Sequence, residues 1–435
     1  MTSTTTPRAS YQRCATCGTA YDDTDASPRC VACGGLLEVV HAPPALRGAD
    51  LRAVFAGRRS DGQGSSSGVW RYHELVLPNA GDHVVSHPEG NTPLLARDRV
   101  SSFAGVSELL LKHEGHNPTG SFKDRGMTVA VTQARRIGSS AVSCASTGNT
   151  SASLAAYAAL AGIPAIVLVP AGQVALGKLA QTLAYGARTL LVRGDFDDCL
   201  RLARESSERL GVYLANSINP FRIVGQTTII LELLQQLGWR APDWIVFPAG
   251  NLGNTAAFGT ALRLARETGL IDSTPRLAAV QAEGAAPFAK SFRTGFAEKK
   301  AVRAETIATA IKIGDPASYE RGVRAIRETN GVVLDVSDAE ILEAKAVIDA
   351  SGVGCEPASA ASVAGVRKLA RDGTIARKDR VVAVLTGHIL KDPAILIDYH
   401  KDPTRPLANV PIEIDAEIGA VERVLAESAS TRRTR

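Results

Sequence analysis

The chain has 435 residues and a formal net charge of +5, and 45% of its residues are hydrophobic. This length is too great for one simple core and suits a two-lobed enzyme with a small additional module. The charge is modest and forms no basic stripe with interleaved aromatic residues, so we expect no nucleic-acid partner. No apolar run is long enough to span a membrane, so we expect no membrane partner either.

Four cysteines near the start of the chain form two C-x-x-C pairs, Cys14 with Cys17 and Cys30 with Cys33. Four thiolates at this spacing predict a zinc ribbon, and because all four ligands are protein groups the zinc would be structural. Iron in the same site is an open alternative. Disulfides are disfavoured, because no apolar signal segment precedes the cysteines, and we expect a cytoplasmic protein.

Two further segments near the start are rich in small polar residues. Residues 1–10 are rich in threonine, and we expect them to be disordered. Residues 57–68 combine Gly, Ser, Arg and Asp, which predicts a flexible loop between the ribbon and the enzyme.

The run NPTGSFKDRG at 117–126 offers a lysine suited to covalent chemistry. Lys123 follows the aromatic Phe122 in a turn rich in Gly, Pro and Ser, where a helix would begin. Such a lysine can form an imine with an aldehyde if its pKa is lowered or if the site stabilises the imine. Taken alone, the pattern is weak evidence, because most lysines are solvated surface charges.

Short apolar strands then alternate with alanine-rich helices, which predicts an α/β fold with mostly parallel sheets. We expect strands at 141–145, 163–169, 189–192, 244–248, 277–281 and 381–384. We expect helices at 154–161, 176–185, 197–210 and 255–266.

Three polar segments follow predicted strands, where open α/β sheets bind ligands. Residues 146–153 could hold a carboxylate at a helix N-terminus, although a Ser/Thr-rich helix cap is the ordinary interpretation. Residues 249–254 form a glycine loop that could bind a phosphate, without the spacing of a dinucleotide fold. Thr386 ends the last strand. A phosphate loop paired with an imine-forming lysine indicates pyridoxal phosphate.

Together these segments resemble the threonine synthases, a family of pyridoxal-phosphate enzymes. The similarity covers residues 88–403, and its most specific parts are NPTGSFKDRG, NSINPFR at 216–222 and CEPASAAS at 355–362. It implies a two-lobed fold of type II with mostly parallel sheets. The disordered start and the ribbon would occupy residues 1–43, and the catalytic domain would occupy 44–435, with a smaller lobe at about 124–216.

The resemblance also implies roles for individual residues. Lys123 would form the imine with the cofactor and carry protons, and Phe122 would pack beside it. Asn149 would face the ring hydroxyl and Thr386 the pyridine nitrogen. The cofactor phosphate would be bound by Gly250, Asn251, Leu252, Gly253 and Asn254. The substrate carboxylate would be held by Ser146, Thr147 and Thr150, and the substrate phosphate by Asn216, Ser217 and Arg222.

Two of the charged residues keep open alternatives. A surface salt bridge is the ordinary role for a single arginine, so it is the alternative for Arg222. Glu356 receives no chemical role, and a carboxylate at the start of a helix before Pro357 explains it equally well.

The implied reaction converts O-phospho-L-homoserine and water to L-threonine and phosphate, and the lyase would be a homodimer. A related β-replacement or elimination, as in cysteate synthase or threonine dehydratase, is the alternative, because Arg222 would also satisfy a shorter phosphorylated substrate. A binding protein that has kept the fold but lost the chemistry is disfavoured, since Lys123, Asn149 and Thr386 are all present.

Overall fold

The computed structural model describes residues 10–59, 66–172 and 179–433. The expected disordered start therefore lies almost entirely outside the described residues. The chain divides into two compact units, Met1–Asp392 and Pro393–Arg435. The expected boundary between residues 43 and 44 stays a prediction.

The first unit contains all the strands among the described residues. They are β1 Ser10–Cys14, β2 Ala20–Asp22, β3 Leu37–His41, β4 Leu94–Ala96, β5 Glu108–His113, β6 Val142–Ala145, β7 Ala165–Pro170, β8 Arg188–Val192, β9 Tyr213–Leu214, β10 Trp244–Pro248, β11 Arg276–Ala282, β12 Val332–Val336 and β13 Arg380–Leu385.

The helices of the first unit are α1 Gly48–Arg58, α2 His73–Val76, α3 Asp98–Ala104, α4 Lys123–Arg136, α5 Asn149–Ala161, α6 Ala180–Ala184, α7 Phe196–Leu210, α8 Pro220–Gln236, α9 Gly253–Glu267, α10 Pro287–Arg293, α11 Tyr319–Glu328, α12 Asp338–Asp349 and α13 Pro357–Arg371. The second unit contains α14 Pro393–Lys401 and α15 Ile418–Arg433. Among the described residues, none of these helices has the length and apolar character needed to cross a membrane.

The strands form three sheets. The first is an antiparallel ribbon in the order β2-β1-β3. The second has the order β12-β11-β10-β13-β5-β4 and is parallel except where β4 runs antiparallel to β5. The third has the order β8-β7-β6-β9 and is entirely parallel. This arrangement confirms the predicted α/β class with mostly parallel sheets.

The predicted elements agree with the structure, except at some of their ends. The strand expected at 244–248 is β10, residue for residue. Helices α5 and α9 begin earlier than expected, at Asn149 and Gly253. The last residues of both predicted loops therefore belong to first helical turns. The helix expected at 176–185 is described only from Ala180 to Ala184, and residues 173–178 lie outside the described part.

The prediction of a flexible loop at 57–68 is wrong at both ends. Its first residues complete α1, and residues 60–65 are not described. Its last residues are buried and hydrogen-bonded to Glu89. Ser67 Oγ donates to Glu89 Oε1 at 2.8 Å, and Gly68 N donates to Glu89 O at 2.7 Å. The small residues here serve close packing: a Cβ on Gly68 would lie 2.1 Å from a Glu232 carboxylate oxygen. Composition alone could not distinguish this packing from flexibility.

A network of buried charges joins four segments of the first unit. Glu232 on α8 accepts from Lys112 of β5 at 2.6 Å, from Arg125 of α4 at 2.8 Å and from Arg71 at 3.1 Å. Arg125 also donates to Glu114 at 2.7 Å. All five side chains are at most 2% exposed. Burial alone would raise the pKa of Glu232, but the charges of Arg125 and Lys112 hold it well below its usual value.

Helices α4 and α8 cross at two glycines. A Cβ on Gly225 would lie 2.0 Å from the carbonyl oxygen of Arg125, and one on Gly126 would lie 2.8 Å from that of Arg222. Neither position can therefore carry a side chain without separating the helices. This close approach brings the N-terminal turn of α4, which carries Lys123, towards the N-terminal turn of α8, which carries Arg222.

We expect Glu232→Gln to destabilise the fold strongly, because it leaves three buried cations with one carboxylate. The free energy of unfolding should fall by about 3–5 kcal/mol. The matched control is Glu328→Gln, which removes an ion pair with Arg263 in which both side chains are more than a third exposed. That change should cost less than about 1 kcal/mol. Urea unfolding followed by circular dichroism measures both, and equal midpoints for the two variants would contradict the prediction.

Candidate active site

Lys123 is the first residue of α4 and is held against the end of β13. The backbone N–H of Phe122 donates to Thr386 O at 3.0 Å, and that of His388 donates to Gly120 O at 2.9 Å. The ammonium nitrogen of Lys123 lies 4.0 Å from the centroid of the Phe122 ring. The predicted lysine turn therefore lies at the carboxyl end of a central strand, as we expect for a ligand site in an open α/β sheet.

The environment of Lys123 favours its neutral form. Burial and the nearby positive charge of Arg222 lower the pKa of Lys123 to about 7, and the carboxylate of Glu356 opposes them. Such an amine is present in both protonation states near neutral pH. It can therefore attack an aldehyde, which a lysine of ordinary pKa does much more slowly.

Arg222 is a buried cation that forms no ion pair with the described residues. It lies in the first turn of α8 and is 1% exposed, and its Nη1 donates to Ala215 O at 3.0 Å. Its Nε and Nη2 have no hydrogen-bond partner in the part of the chain that the structure describes. Burial lowers the pKa of Arg222 to about 10, so the group remains charged. The surface salt bridge that was its alternative is excluded, and the free nitrogens indicate a site for an anion.

Two residues of the segment that leads into α8, Asn216 and Ser217, connect it to neighbouring segments. Asn216 closes the end of β6, since its side-chain amide accepts from Ala145 N and donates to Ala145 O, both at 3.0 Å. Ser217 accepts a hydrogen bond from the side chain of Asn251 in the glycine loop. The predicted substrate-phosphate residues and the predicted cofactor-phosphate loop are therefore in direct contact.

The glycine loop leads into α9 through a residue in the left-handed region, Leu252, with φ of 61°. Asn251 braces the loop, because its Oδ1 accepts from Ala317 N at 2.6 Å. Asn254 Oδ1 and Thr255 Oγ1 are buried in the first turn of α9 and have no partner among the described residues. Unpaired polar atoms beside a helix N-terminus suit a bound anion.

Glu356 joins the two residues that were predicted to face the cofactor ring. Its Oε2 accepts from Asn149 Nδ2 at 2.9 Å, and its Oε1 accepts from Thr386 Oγ1 at 3.0 Å. Burial raises the pKa of Glu356, and these two hydrogen bonds oppose the shift. Ser359 supports the arrangement, since its Oγ accepts from Thr386 N at 2.8 Å and Gly387 N at 3.0 Å.

The remaining predicted residues line the turn between β6 and α5. Ser146, Thr147 and Thr150 are partly exposed, and Ser146 Oγ accepts from Gly148 N at 3.3 Å. An added Cβ at Gly148 would meet no atom within 4 Å, so the turn borders open space. Their hydroxyl groups are therefore available to a ligand at the N-terminus of α5.

Two residues near the site received no chemical role from the sequence. Glu356 stands before Pro357, which explained it as a helix start, but its side chain caps no helix N–H and points to Asn149 and Thr386 instead. The Lys391 ammonium group donates to Gln181 Oε1 of α6 and lies close to Gly120. No local pattern predicts this contact, because it joins segments 210 residues apart.

The four predicted metal ligands lie together in the ribbon. The sulfur atoms of Cys14, Cys17, Cys30 and Cys33 all lie within 4.8 Å of one another. The Cys14–Cys33 pair is 3.5 Å apart and the Cys17–Cys30 pair is 3.6 Å apart. Tetrahedral zinc with Zn–S bonds of about 2.3 Å separates its sulfur ligands by about 3.8 Å, so the cluster fits such an ion.

Comparison with known proteins agrees with this geometry. The sequence profile of the family described as "Pyridoxal-phosphate dependent enzyme" matches residues 85–387. The chain is 46% identical to a threonine synthase of Methanosarcina acetivorans over 402 residues, which are 92% of this chain and 96% of the relative. It is 42% identical to a threonine synthase of Methanocaldococcus jannaschii over 418 residues, covering 96% of this chain and 99% of the relative.

Solved structures share the fold at lower sequence identity. The crystal structure of threonine synthase from Escherichia coli superimposes with a TM-score of 0.68 at 18% identity, covering 96% of this chain and all of that one. Maize serine racemase gives a TM-score of 0.63 at 21% identity, covering 77% of this chain and 96% of that one. From the family profile and the full-length relatives together, the chain belongs to the pyridoxal-phosphate dependent enzymes and, within them, to the threonine synthase family.

Proposed function

We propose that this lyase converts O-phospho-L-homoserine and water to L-threonine and phosphate. The observation that carries the proposal is Arg222, a buried guanidinium with two nitrogens that no described residue pairs, whose charge acts on Lys123. Membership of the threonine synthase family supports the same substrate. One alternative is a β-replacement enzyme acting on a shorter phosphorylated amino acid, which would place a phosphate near the same guanidinium. The other is a threonine-dehydratase-like elimination enzyme.

The residues present fit pyridoxal phosphate. The loop 250–254 and the unpaired Asn254 and Thr255 side chains at the start of α9 suit its phosphate. Lys123 offers a neutral amine to its aldehyde, and Phe122 lies beside that amine. When bound there, the cofactor supplies an electron-withdrawing ring that stabilises negative charge on the substrate carbon next to the amine.

We assign the orientation of the ring to Asn149 and Thr386, with Glu356 holding both side chains. Asn149 would donate to the ring hydroxyl, and Thr386 would meet the ring nitrogen with a hydroxyl group. A hydroxyl does not stabilise a fully protonated ring nitrogen as a carboxylate would. The buried carboxylate of Glu356 is one hydrogen bond further away, at 3.0 Å from Thr386 Oγ1.

Proton transfer is assigned to Lys123. Its pKa of about 7 lets the amine accept a proton from a carbon atom of the substrate and return it near neutral pH. Burial is the main cause of the low pKa and the neighbouring charge of Arg222 adds to it, so a phosphate bound to Arg222 would offset only the second effect. Substrate binding would then raise the basicity of the amine at the step that requires it.

The substrate would lie between two helix N-termini. Its carboxylate would meet Ser146, Thr147 and Thr150 at α5, where the helix dipole favours negative charge. Its phosphate would meet Arg222 with Ser217. Asn216 uses one of its two side-chain N–H groups on Ala145, which leaves the second available to the phosphate.

We propose that the ribbon holds one structural zinc ion. The four thiolates fill a tetrahedral shell, so no coordination position remains for substrate. The ribbon contacts α11 of the catalytic part, since Arg321 donates to Leu37 O and Arg324 pairs with Glu38. The metal would therefore stabilise a module that is too small to build its own core.

A reducing compartment is the proposed location, with the cytoplasm as the most common such compartment. All seven cysteines lie in the described residues and none forms a disulfide. Free thiols and a thiolate metal site are typical of reducing conditions. The homodimer stays a prediction.

Cofactor capture should depend on pH through Lys123. In cofactor-free protein, the rate of capture of pyridoxal phosphate should rise through pH of about 7 and then level off, because the neutral amine reacts and the pKa of Lys123 is lowered to about 7. Arg222→Gln removes a positive charge that lowers this pKa, so its midpoint should move to higher pH. Borohydride trapping and peptide mapping measure the rate and the labelled residue.

Lys290→Ala, which removes an exposed lysine, is the control and should leave the profile unchanged. Label on a lysine other than Lys123 would contradict the assignment. A midpoint near the ordinary lysine pKa of about 10.4 would contradict the lowered pKa.

Arg222→Ala should reduce kcat/KM for phosphohomoserine by roughly tenfold to a hundredfold, because it removes a charge-assisted contact. The affinity for the cofactor should change little, since its phosphate has a separate loop. Arg222→Lys should recover only part of the loss, because an ammonium group keeps the charge but lacks the planar pair of N–H donors of a guanidinium. Steady-state kinetics with phosphohomoserine, phosphoserine, threonine and serine measure the effect and test the alternative reactions.

Equal losses on phosphorylated and unphosphorylated substrates would mean that Arg222 acts only on the structure. A wild-type preference for phosphoserine would support the β-replacement alternative instead.

Metal analysis should find about one zinc ion per chain. Cys30→Ser should release the metal and lower the thermal unfolding temperature, because metal binding is coupled to folding of the ribbon. Cys199→Ser changes a buried cysteine of α7 outside the cluster and should leave the metal content unchanged. Iron in place of zinc would correct the identity of the metal, and a wild-type protein without metal would refute the site.

A further inference from the structure

A cavity of about 260 Å³ lies between the ribbon, the N-terminal half of α8 and one face of α9. The α8 residues on its wall are Pro220, Ile223, Val224 and Thr227, which follow the spacing of a single helix face. Arg222 points from the opposite side of the same helix. The cavity is therefore separate from the candidate active site and lies behind it.

Arg321 on α11 forms part of the cavity wall, and two of its three guanidinium nitrogens lack hydrogen-bond partners among the described residues. It is 4% exposed, and its Nη2 donates to the carbonyl oxygen of Leu37. Its Nε and Nη1 have no hydrogen-bond partner among the residues described, although Glu38 Oε1 lies 3.7 Å from Nε. That carboxylate is also shared with Arg13 and Arg324. Arg321 is thus a buried cation with free donors facing a cavity.

The other wall residues define what could accompany an anion at Arg321. Glu38 and Glu267 also line the cavity, together with Arg13 and Arg263, so the wall carries charges of both signs and suits a zwitterion. The two carboxylates would accept an ammonium group. Val39, Ile223 and Leu264 supply an aliphatic surface. The volume is slightly below the range of about 300–1,000 Å³ for drug-sized ligands, so the occupant would be small.

We propose that this cavity is a second binding site, for a free α-amino acid with an aliphatic side chain. Its carboxylate binds the unpaired nitrogens of Arg321, its ammonium group faces Glu38 or Glu267, and its side chain packs against Val39 and Ile223. The site lies against both helix starts of the active site, because Ile223 adjoins Arg222 and Ala256 lies in the first turn of α9.

The test is calorimetric titration of the cofactor-loaded protein with L-leucine. Isoamylamine lacks the carboxylate, 4-methylpentanoate lacks the ammonium group, and inorganic phosphate is a dianion. We expect L-leucine to bind at one site and each of the three analogues to bind at least about tenfold more weakly. The absorbance of the cofactor should stay unchanged during the titration, since the ligand does not reach the active site.

Two variants test the location. Arg321→Met should weaken L-leucine binding at least about tenfold, whereas Arg327→Met, an exposed arginine of the same helix, should leave it unchanged. Thr260→Leu adds volume at the wall while keeping every charge, and it should also weaken binding. This second variant decides the question if Arg321→Met fails to fold.

The proposal is overturned by the absence of heat with millimolar L-leucine. It is also overturned by binding that survives Thr260→Leu, or by a change in cofactor absorbance that places L-leucine in the active site. Phosphate binding that is lost in Arg321→Met would show an anion site in place of an amino-acid site.

Discussion

The carboxylate of Glu232 is the interaction on which the placement of the catalytic groups most depends. It lies on α8 and receives hydrogen bonds from Arg71, Lys112 and Arg125, which belong to three other segments. Removing a buried charge from water is costly, and the interactions offset that cost only when every partner is in place. The network therefore enforces one arrangement of α4, α8 and β5.

This arrangement is what gives the site its chemistry. Arg125 is two residues after Lys123, so the same contact that anchors α4 fixes the position of the amine. The glycine crossing then brings Arg222 close enough for its charge to act on Lys123. The lowered pKa of that lysine is thus a property of packing, because it arises first from burial and then from the charge of Arg222.

The sequence predicted the helices, the strands and the polar loops that follow the strands better than the contacts that join distant segments. The strand Trp244–Pro248 was predicted in full because its apolar run has turn residues after it. The start of α9 was missed because Leu252 adopts a left-handed conformation that its residue type does not suggest. The position of Glu356 beside Asn149 could not be predicted, since the two are 207 residues apart and only the folded sheets bring them together. The buried charges were missed for the same reason.

Helix α8 has a consequence for how this enzyme could evolve. Every residue from Pro220 to Leu234 is buried, so no face of the helix is free to vary. Except on the face that lines the cavity, a change of side-chain volume there disturbs close packing, and a change of charge at Glu232 disturbs the network. Divergence towards other substrates is therefore expected first among the partly exposed residues 146–150, where a Cβ added at Gly148 meets no atom within 4 Å. Directed evolution of substrate range should begin at those residues and leave the helix unaltered.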